Sequence, residues 1–532
     1  MSNGIQEYSR LENRLLLLGW LNSLLGYKHN RDLLRDTKDV EEGFGADGRS
    51  YLLHHLLVRG AKVAIPEDVL TRYDDNIRTH LTAMNRGRAE PITLRYFQHL
   101  ALLYTEIVLD RLFNAPQQLL ADLNAFVVAH NMAKAPGEVQ DEPFIATGLN
   151  KLAFWMATGS GKTLLLHCNI RQFLHYNRAP LDNILLITPN EELSEQHLGE
   201  LAASGIPARR FDLNAGGLWA SGGDVVQVIE ITRLVEQKRG GGVSVPVETF
   251  EGRNLILVDE GHKGSGGEAW RGYRDALGAD GFTFEYSATF GQALSAAGKD
   301  DLTAEYGKAI LFDYSYRYFY GDGFGKDFRI LNLKNETNPG QTETLLLGNL
   351  LTFYEQLRRF EVDDRELQPY HLEKPLWIFV GSTVNAVYTE NKQKRSDVLT
   401  VVRFLHRVLH DGAWAENTIG QLLKASSGLV GADGGDVFLG RFQYLQKQGQ
   451  KPGQIYRDIL ARVFHTAGSG GLHLADIRDG NGEIGLKAAN AGSYFGLIYI
   501  GDTAAFKNLV AEEATEITVE QDAVADALFD DI

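Results

Sequence analysis

The chain is poor in cysteine, in long apolar runs and in positive charge. Its 532 residues include one cysteine, Cys168, which excludes an internal disulfide and any cysteine-based zinc site. No stretch of about 18 or more apolar residues occurs, and the start MSNGIQEYSRLENR has no basic cluster leading into an apolar segment. The expectation is a cytoplasmic protein, neither secreted nor membrane-spanning. Lys and Arg number 53 against 69 Asp and Glu, a net charge of −16. That is the opposite of a basic nucleic-acid footprint, yet it leaves such a partner open, because amide N–H groups, hydroxyls and a few local arginines can hold a phosphate backbone. Part of the acidic excess lies in AEEATEITVEQDAVADALFDDI, which has no Lys or Arg and reads most simply as a solvated helical face.

What is present reads as an ordinary globular composition, 44% apolar and 23% charged, in a chain too long for one core. Residues 1–130 carry apolar positions at three- and four-residue spacing, as in LRYFQHLALLYTEIVLDRLF, and predict a helical region. From 131 to 325 short β-rich runs (LAFWMA, NILLITP, DVVQVIEI, NLILVDE, FTFEYSAT) alternate with helical stretches, which predicts an α/β domain with a parallel sheet. Residues 326–532 repeat that texture less completely. GKDFRILNL and KPLWIFVGST read as strands, and an insertion at about 395–490 reads as helices followed by a hairpin around Gly480-Asn481-Gly482.

The stretch FWMATGSGKT has the form of a phosphate-binding loop except that Met156 stands at the first glycine of G-x-x-x-x-G-K-[ST]. Its context is that of such a loop: a buried-strand pattern before it, and the helical pattern LLLHCNIRQFL after it. In this reading Thr158, Gly159, Ser160 and Gly161 supply curvature and backbone N–H groups, Lys162 neutralises the outer phosphates of ATP, and Thr163 holds Mg²⁺. About 100 residues later ILVDEGHKG ends an apolar strand in two carboxylates. Asp259 is placed to hold Mg²⁺ through water, Glu260 to orient and deprotonate the attacking water, and His262 to sense the γ-phosphate or couple to another motif. YSATF then sets Ser287 and Thr289 just past a strand, where their hydroxyls can bond to the Asp259–His262 segment and relay its state.

MATGSGKT, LLITPNEELSEQ, VDEGHKG and SATF, in that order, resemble motifs I, Ia, II and III of superfamily 2 DEAD/DEAH-box helicases, and most closely the restriction (Res) subunit of type III restriction enzymes. TLRYFQHLALLYTEI, YSYRYFYGDGFGKDF and YFGLIYIGDTAAFKNL resemble that family too. The resemblance implies a RecA-like P-loop ATPase domain preceded by helices and followed by an incomplete second RecA-like domain with helical and hairpin insertions. It implies ATP and Mg²⁺ as cofactors and a helicase or translocase motor on double-stranded DNA beside a DNA methyltransferase (Mod-like) subunit. Carried over by position, Pro189, Asn190, Glu191 and Thr232 would line the nucleic-acid path, as would Ser382 and Thr383, while Arg95 and Gln98 would read the adenine. A general RNA or DNA helicase, or a nucleotide-dependent binding module without turnover, are the alternatives.

Two expected features are not found. The cross-cleft pattern Q-x-x-G-R-x-x-R has no match, GRFQYL at Gly440 lacking both its Gln and its second Arg. This leads to the expectation that the chain ends inside its second domain, without motifs V and VI, and hydrolyses ATP poorly alone. No nuclease carboxylate set accompanies the EQK at Glu236 or the ENK at Glu390, which read as solvated charges.

Overall fold

The run Leu152 to Met156 is wholly apolar, as a strand covered on both faces should be, and in the computed structural model it lies within a parallel sheet. The structure describes residues 11–211, 224–235, 245–250, 252–260, 268–292, 300–326, 330–331, 333–334, 338–362, 367, 372–381, 388–390, 393–477, 482–500 and 503–523. Two units, Met1–Asp327 and Phe328–Ile532, are each internally compact.

The first unit opens with helices α1 (Leu16–Leu24), α2 (Asn30–Thr37), α3 (Tyr51–Val58), α4 (Glu67–Asn85), α5 (Tyr96–Asn114) and α6 (Pro116–Met132). Ser50 caps α3 by accepting the Leu53 N–H at 2.9 Å, and Pro116 opens α6 where its missing N–H is not needed. Helix α5 is buried continuously from Tyr96 to Leu109, which marks an interior helix rather than a surface one.

Strands β1 (Lys151–Met156), β2 (Asn183–Thr188), β3 (Ala208–Arg210), β4 (Val226–Glu230), β7 (Asn254–Asp259), β8 (Phe282–Ser287) and β9 (Ile310–Tyr314) form a seven-stranded sheet in the order β3-β4-β2-β7-β8-β1-β9. All of its pairings are parallel. Leu234–Val235 (β5) and Val245–Pro246 (β6) pair separately. The helices α7 (Lys162–Tyr176), α8 (Glu191–Ala203), α9 (Glu268–Gly278), α10 (Asp300–Ala309) and α11 (Tyr316–Gly321) complete the unit.

Alternation along the strands divides the interior. Ile184, Leu186, Leu255 and Leu257 join a core shared with the N-terminal helices. Leu185, Ile187, Ile256 and Val258 join a smaller core with Leu277 of α9. Leu186 is fully buried, and its truncation to Ala would cost about 2–5 kcal/mol by loss of burial plus a residual cavity. Burial raises the pKa of the Glu285 carboxyl, but Lys151 and Arg274 outweigh burial and hold it below its ordinary value. The sheet thus has an ionic brace on β8.

The second unit contains α12 (Pro339–Val362), a short pair β10 (Tyr388–Glu390) and β11 (Gln393–Arg395), then α13 (Asp397–His410), α14 (Gly412–Leu423), α15 (Gln443–Lys447) and α16 (Pro452–Arg462). A partial sheet follows, of β12 (Leu472–Ile477), β13 (Glu483–Ala488), β14 (Gly496–Tyr499) and β15 (Thr518–Ala523), with α17 (Thr503–Glu513) before β15. Its order is β14-β13-β12-β15. The expected hairpin strands are β12 and β13, antiparallel; β15 joins β12 in parallel.

Two strand expectations differ from the structure. GKDFRILNL forms no strand among its described residues, where Leu333 makes only an isolated bridge to Gly431. KPLWIFVG, residues 374–381, adopts no regular secondary structure, and Leu376, Ile378 and Val380 are exposed. Apolar, β-prone residues make a strand only where a neighbour completes the ladder, and none of the described strands pairs with this run. Seven of the described strands, β3, β5, β6, β9, β10, β11 and β15, are not marked in the sequence: β3, β5, β6, β10 and β11 are only two or three residues long, β9 follows directly on a helix, and β15 lies in the acidic tail that reads as a helical face but pairs with β12 instead. Among the described residues no helix is long and apolar enough to cross a membrane.

Candidate nucleotide-binding site

Because every strand of the large sheet runs the same way, the chain segments after β1, β2, β4, β7 and β8 emerge on one edge. The turn from β1 to α7 runs from Ala157 to Gly161, with Gly159 at φ +84° and Gly161 at φ +89°. These are left-handed values that a side chain resists. A second constraint holds Gly161: a Cβ there would lie 2.4 Å from Gln98 Nε2. Ser160 is buried and folds back on the turn, its Oγ donating to Ala157 O at 2.6 Å. Helix α7 starts with no side-chain cap and no acidic residue in its first turn. The N–H groups of that turn thus present positive charge that no capping side chain and no acidic residue of the turn itself answers. A phosphate chain fits this donor set.

Lys162, the first residue of α7, pairs with Glu260 at 2.8 Å. Both side chains are largely enclosed, 11% and 15% exposed. Glu260 follows the last residue of β7 with φ +51°, an uncommon backbone state for a non-glycine residue that costs about 1–3 kcal/mol and recurs at functional sites. Asp259, its neighbour, sits opposite Tyr286 of β8. One residue beyond Tyr286, Ser287 is buried and its Oγ accepts the Thr289 N–H at 3.0 Å.

The residue that sequence reasoning missed is His197 on α8. Its Nε2–H donates to Asp259 Oδ2 at 2.9 Å, and the imidazole is buried. Asn190 caps the N-terminus of the same helix, accepting the Leu193 N–H at 2.9 Å. Helix α8 therefore joins the exposed Asn190–Glu191 end to the carboxylate at the end of β7. No local spacing signals this, since His197 and Asp259 are 62 residues apart. Nearby on α7, burial and then His197 push the His167 imidazole down to about 3, so it is neutral.

Gln98 lies beneath the phosphate loop with both ends of its amide engaged. Its Oε1 accepts the Arg95 N–H at 2.9 Å and its Nε2 donates to Ser160 O at 3.0 Å. The two aromatic stretches singled out above meet around it. Phe97 stacks on Tyr314 with ring centres 3.9 Å apart, Tyr96 and Tyr314 both donate to Asp322, and the Arg95 guanidinium lies 5.2 Å from the Phe324 ring centre. Phe319 reaches within 3.6 Å of where a Cβ on Gly159 would stand. Phe324 packs against Phe319 and is 41% exposed.

At the same sheet edge, Pro189–Glu191 follow β2 and Thr232 follows its neighbour β4. Asn190, Glu191 and Thr232 are exposed, and Arg210 bridges Glu191 and Glu230. Thr158 is exposed beside Gly159, and Thr163 is the second residue of α7. His262, Ser382 and Thr383 lie outside the described residues. No cluster of three or more His, Cys, Asp or Glu able to hold a metal occurs among the described residues. The donor set of one hydroxyl and one carboxylate, Thr163 and Asp259, instead suits a magnesium ion that takes most of its ligands from phosphates and water.

Residues 115–292 match the family described as type III restriction enzyme, res subunit. No curated protein matches the chain. Among solved structures, the UvsW helicase of bacteriophage T4 is 16% identical, the match covering 37% of this chain and 71% of that one, with a TM-score of 0.24. The Hef helicase domain of Pyrococcus furiosus is 11% identical over 59% of this chain and 66% of that one, TM-score 0.25. The SWI2/SNF2 ATPase core of Sulfolobus solfataricus, solved with double-stranded DNA, is 12% identical over 70% and 74%, TM-score 0.25. At such scores these likenesses carry no argument; what the comparisons give is that residues 115–292, about a third of the chain, match the type III restriction enzyme res subunit family, over a stretch that contains the phosphate loop and the Asp-Glu strand end.

Proposed function

We propose that the chain is an ATP-driven translocase or helicase on double-stranded DNA, resembling the Res subunit of type III restriction or related phage-defence systems and working beside a DNA methyltransferase subunit. The observation that carries this reading is the Lys162–Glu260 pair. It joins the cation of the phosphate loop to the candidate base at the carboxyl edge of a parallel sheet, the two groups that hydrolysis of a bound ATP needs side by side.

In this reading ATP displaces Glu260 from Lys162. The N–H groups of Gly159, Gly161, Lys162 and Thr163 take the phosphates. Glu260, released, accepts the proton of the attacking water. Magnesium, when bound with ATP, would be held by Thr163 and Asp259 and would supply charge neutralisation on the outer phosphates. His197 keeps the Asp259 carboxylate oriented, and because it rides on the helix that begins at Asn190, a strand resting on Pro189, Asn190, Glu191 and Thr232 would bias that carboxylate. Ser287 and Thr289 belong to the same edge and would join the relay. Gln98 shapes the loop through Ser160 rather than facing the base, and the adenine lies on the Phe324 ring beside Arg95.

The test is steady-state ATP hydrolysis with and without duplex DNA and with single-stranded RNA. Stimulation by duplex DNA supports the reading. Stimulation by RNA alone would replace it with a general RNA helicase, and ATP binding that no nucleic acid alters would sink the motor.

A further inference from the structure

The second unit holds a surface that the nucleotide site does not explain. Two adjoining grooves, of about 920 and 610 Å³, meet at Lys424 at the end of α14. The first runs between α14 and the start of α16 and carries Lys451 and Arg457; the second reaches α15 and carries Arg441 and Lys447. Along both, five cations face one carboxylate, Glu416. This is a local excess of four positive charges in a chain whose net charge is −16.

The pairing of cations elsewhere in this unit makes the grooves distinctive. Arg403 pairs with Glu513, Arg407 with Glu343, Arg462 with Asp458, and Lys487 with Glu520. Lys424, Lys447, Lys451 and Arg457 are all exposed, and none forms an ion pair with another described residue. Nearby acids are already engaged by the protein. Asp436 accepts from Ser427 and Phe438, and Glu355 accepts the Tyr444 and Leu445 N–H groups. Between the cations stand exposed amides, Gln421, Gln443, Gln446 and Gln454, which are donors suited to phosphate and sugar oxygens. Among the described residues no exposed aromatic lines either groove; Phe438 is there but buried. Single-strand binders stack bases on aromatic rings, so this lining fits a backbone presented from outside, as a duplex presents it.

We infer that the Lys424-centred grooves are a second nucleic-acid site, which holds the phosphate backbone of duplex DNA without reading its bases. The inference rests on the proposal above that the partner is DNA, and it adds a contact surface on the second unit.

The experiment measures binding of the full chain to a 30-base-pair duplex of arbitrary sequence across a range of KCl concentrations. One variant carries Lys424→Gln, Lys447→Gln, Lys451→Gln and Arg457→Gln. A control variant carries Lys28→Gln, Arg31→Gln, Lys38→Gln and Lys62→Gln, the same change in net charge on exposed positions of the first unit. Each phosphate that the protein no longer neutralises flattens the slope of log K against log salt by about 0.9. The groove variant should therefore lose roughly 2 to 4 from the slope and about tenfold or more in affinity at low salt, with the thermal unfolding curve of the wild type, while the control keeps the wild-type slope. Equal slopes for wild type and groove variant, or equal losses in groove variant and control, would overturn the groove. An acidic polypeptide such as polyglutamate that competes as well as DNA would overturn the nucleic-acid assignment of the groove. A wild-type chain that binds no duplex at any salt would instead sink the DNA reading, and the groove with it.

Discussion

Lys162 and Lys424 show two opposite ways of keeping a cation for a phosphate. Lys162 is nearly enclosed and its charge is answered by Glu260 at 2.8 Å, as an enclosed charge must be, since an unpaired one carries a desolvation cost of several kcal/mol. Lys424, Lys447, Lys451 and Arg457 are exposed and form no ion pair with another described residue; in water hydration suffices and a pair would be worth little. The difference separates two jobs. A cation in a closed site exchanges one anion for another and is tuned to a single ligand, whereas exposed cations act together through the counterions that a polyanion releases.

The largest expected effect probes the closed site. Glu260→Gln removes the base and should lower kcat about 10²–10⁴-fold while ATP binds as well as to wild type or better, because the competing ion pair with Lys162 is weakened; single-turnover hydrolysis and equilibrium binding read the two separately. Salt sharpens the comparison next. Between 50 and 200 mM KCl, duplex affinity should fall by about 15-fold or more, since the grooves alone contribute roughly −2 or steeper to the slope, whereas affinity for an ATP analogue should change less than about threefold, since the closed site is screened less. A similar fall for both ligands would erase the distinction between the two sites.

His197→Ala should then lower kcat and weaken the binding of Mn²⁺ with nucleotide by about tenfold, the scale of an outer partner to a metal-holding carboxylate. His197→Gln, which keeps a side-chain N–H, should recover part of both; electron paramagnetic resonance of Mn²⁺ checks the binding directly. The smallest effect is at the base. Phe324→Ala should weaken ATP by about fivefold, the worth of about 1 kcal/mol of ring stacking, and leave inorganic tripolyphosphate unchanged. Equal loss for both ligands would remove Phe324 from the base subsite.

What could be read in the sequence is what short segments determine. The apolar run before Ala157, the glycines of the loop and the helical spacing after Lys162 together define a strand, a turn and a helix. An apolar strand ending in Asp259-Glu260 is bound to deliver its carboxylates to the same edge once the sheet is parallel. Contacts between distant elements left no such mark. The Gln98 amide reaches Ser160, and His197 reaches Asp259, only because α5 and α8 pack where they do. The apolar run at Leu376–Val380 has the composition of a strand, but composition does not supply the neighbour a ladder requires. The groove was hidden for a related reason: its cations are spread from Lys424 to Arg457 over separate helices, so the acidic total of the chain concealed a basic surface.

The central claim is that Lys162 and Glu260 belong to one ATP site, and the most direct test is equilibrium titration of a fluorescent ATP analogue, with Mg²⁺, into wild type, Lys162→Ala and Glu260→Gln. The account predicts a loss of about tenfold to 100-fold for Lys162→Ala, the worth of a charge-assisted hydrogen bond of about 1.5–3 kcal/mol, and affinity equal to or above wild type for Glu260→Gln. Equal affinity for wild type and Lys162→Ala would contradict it.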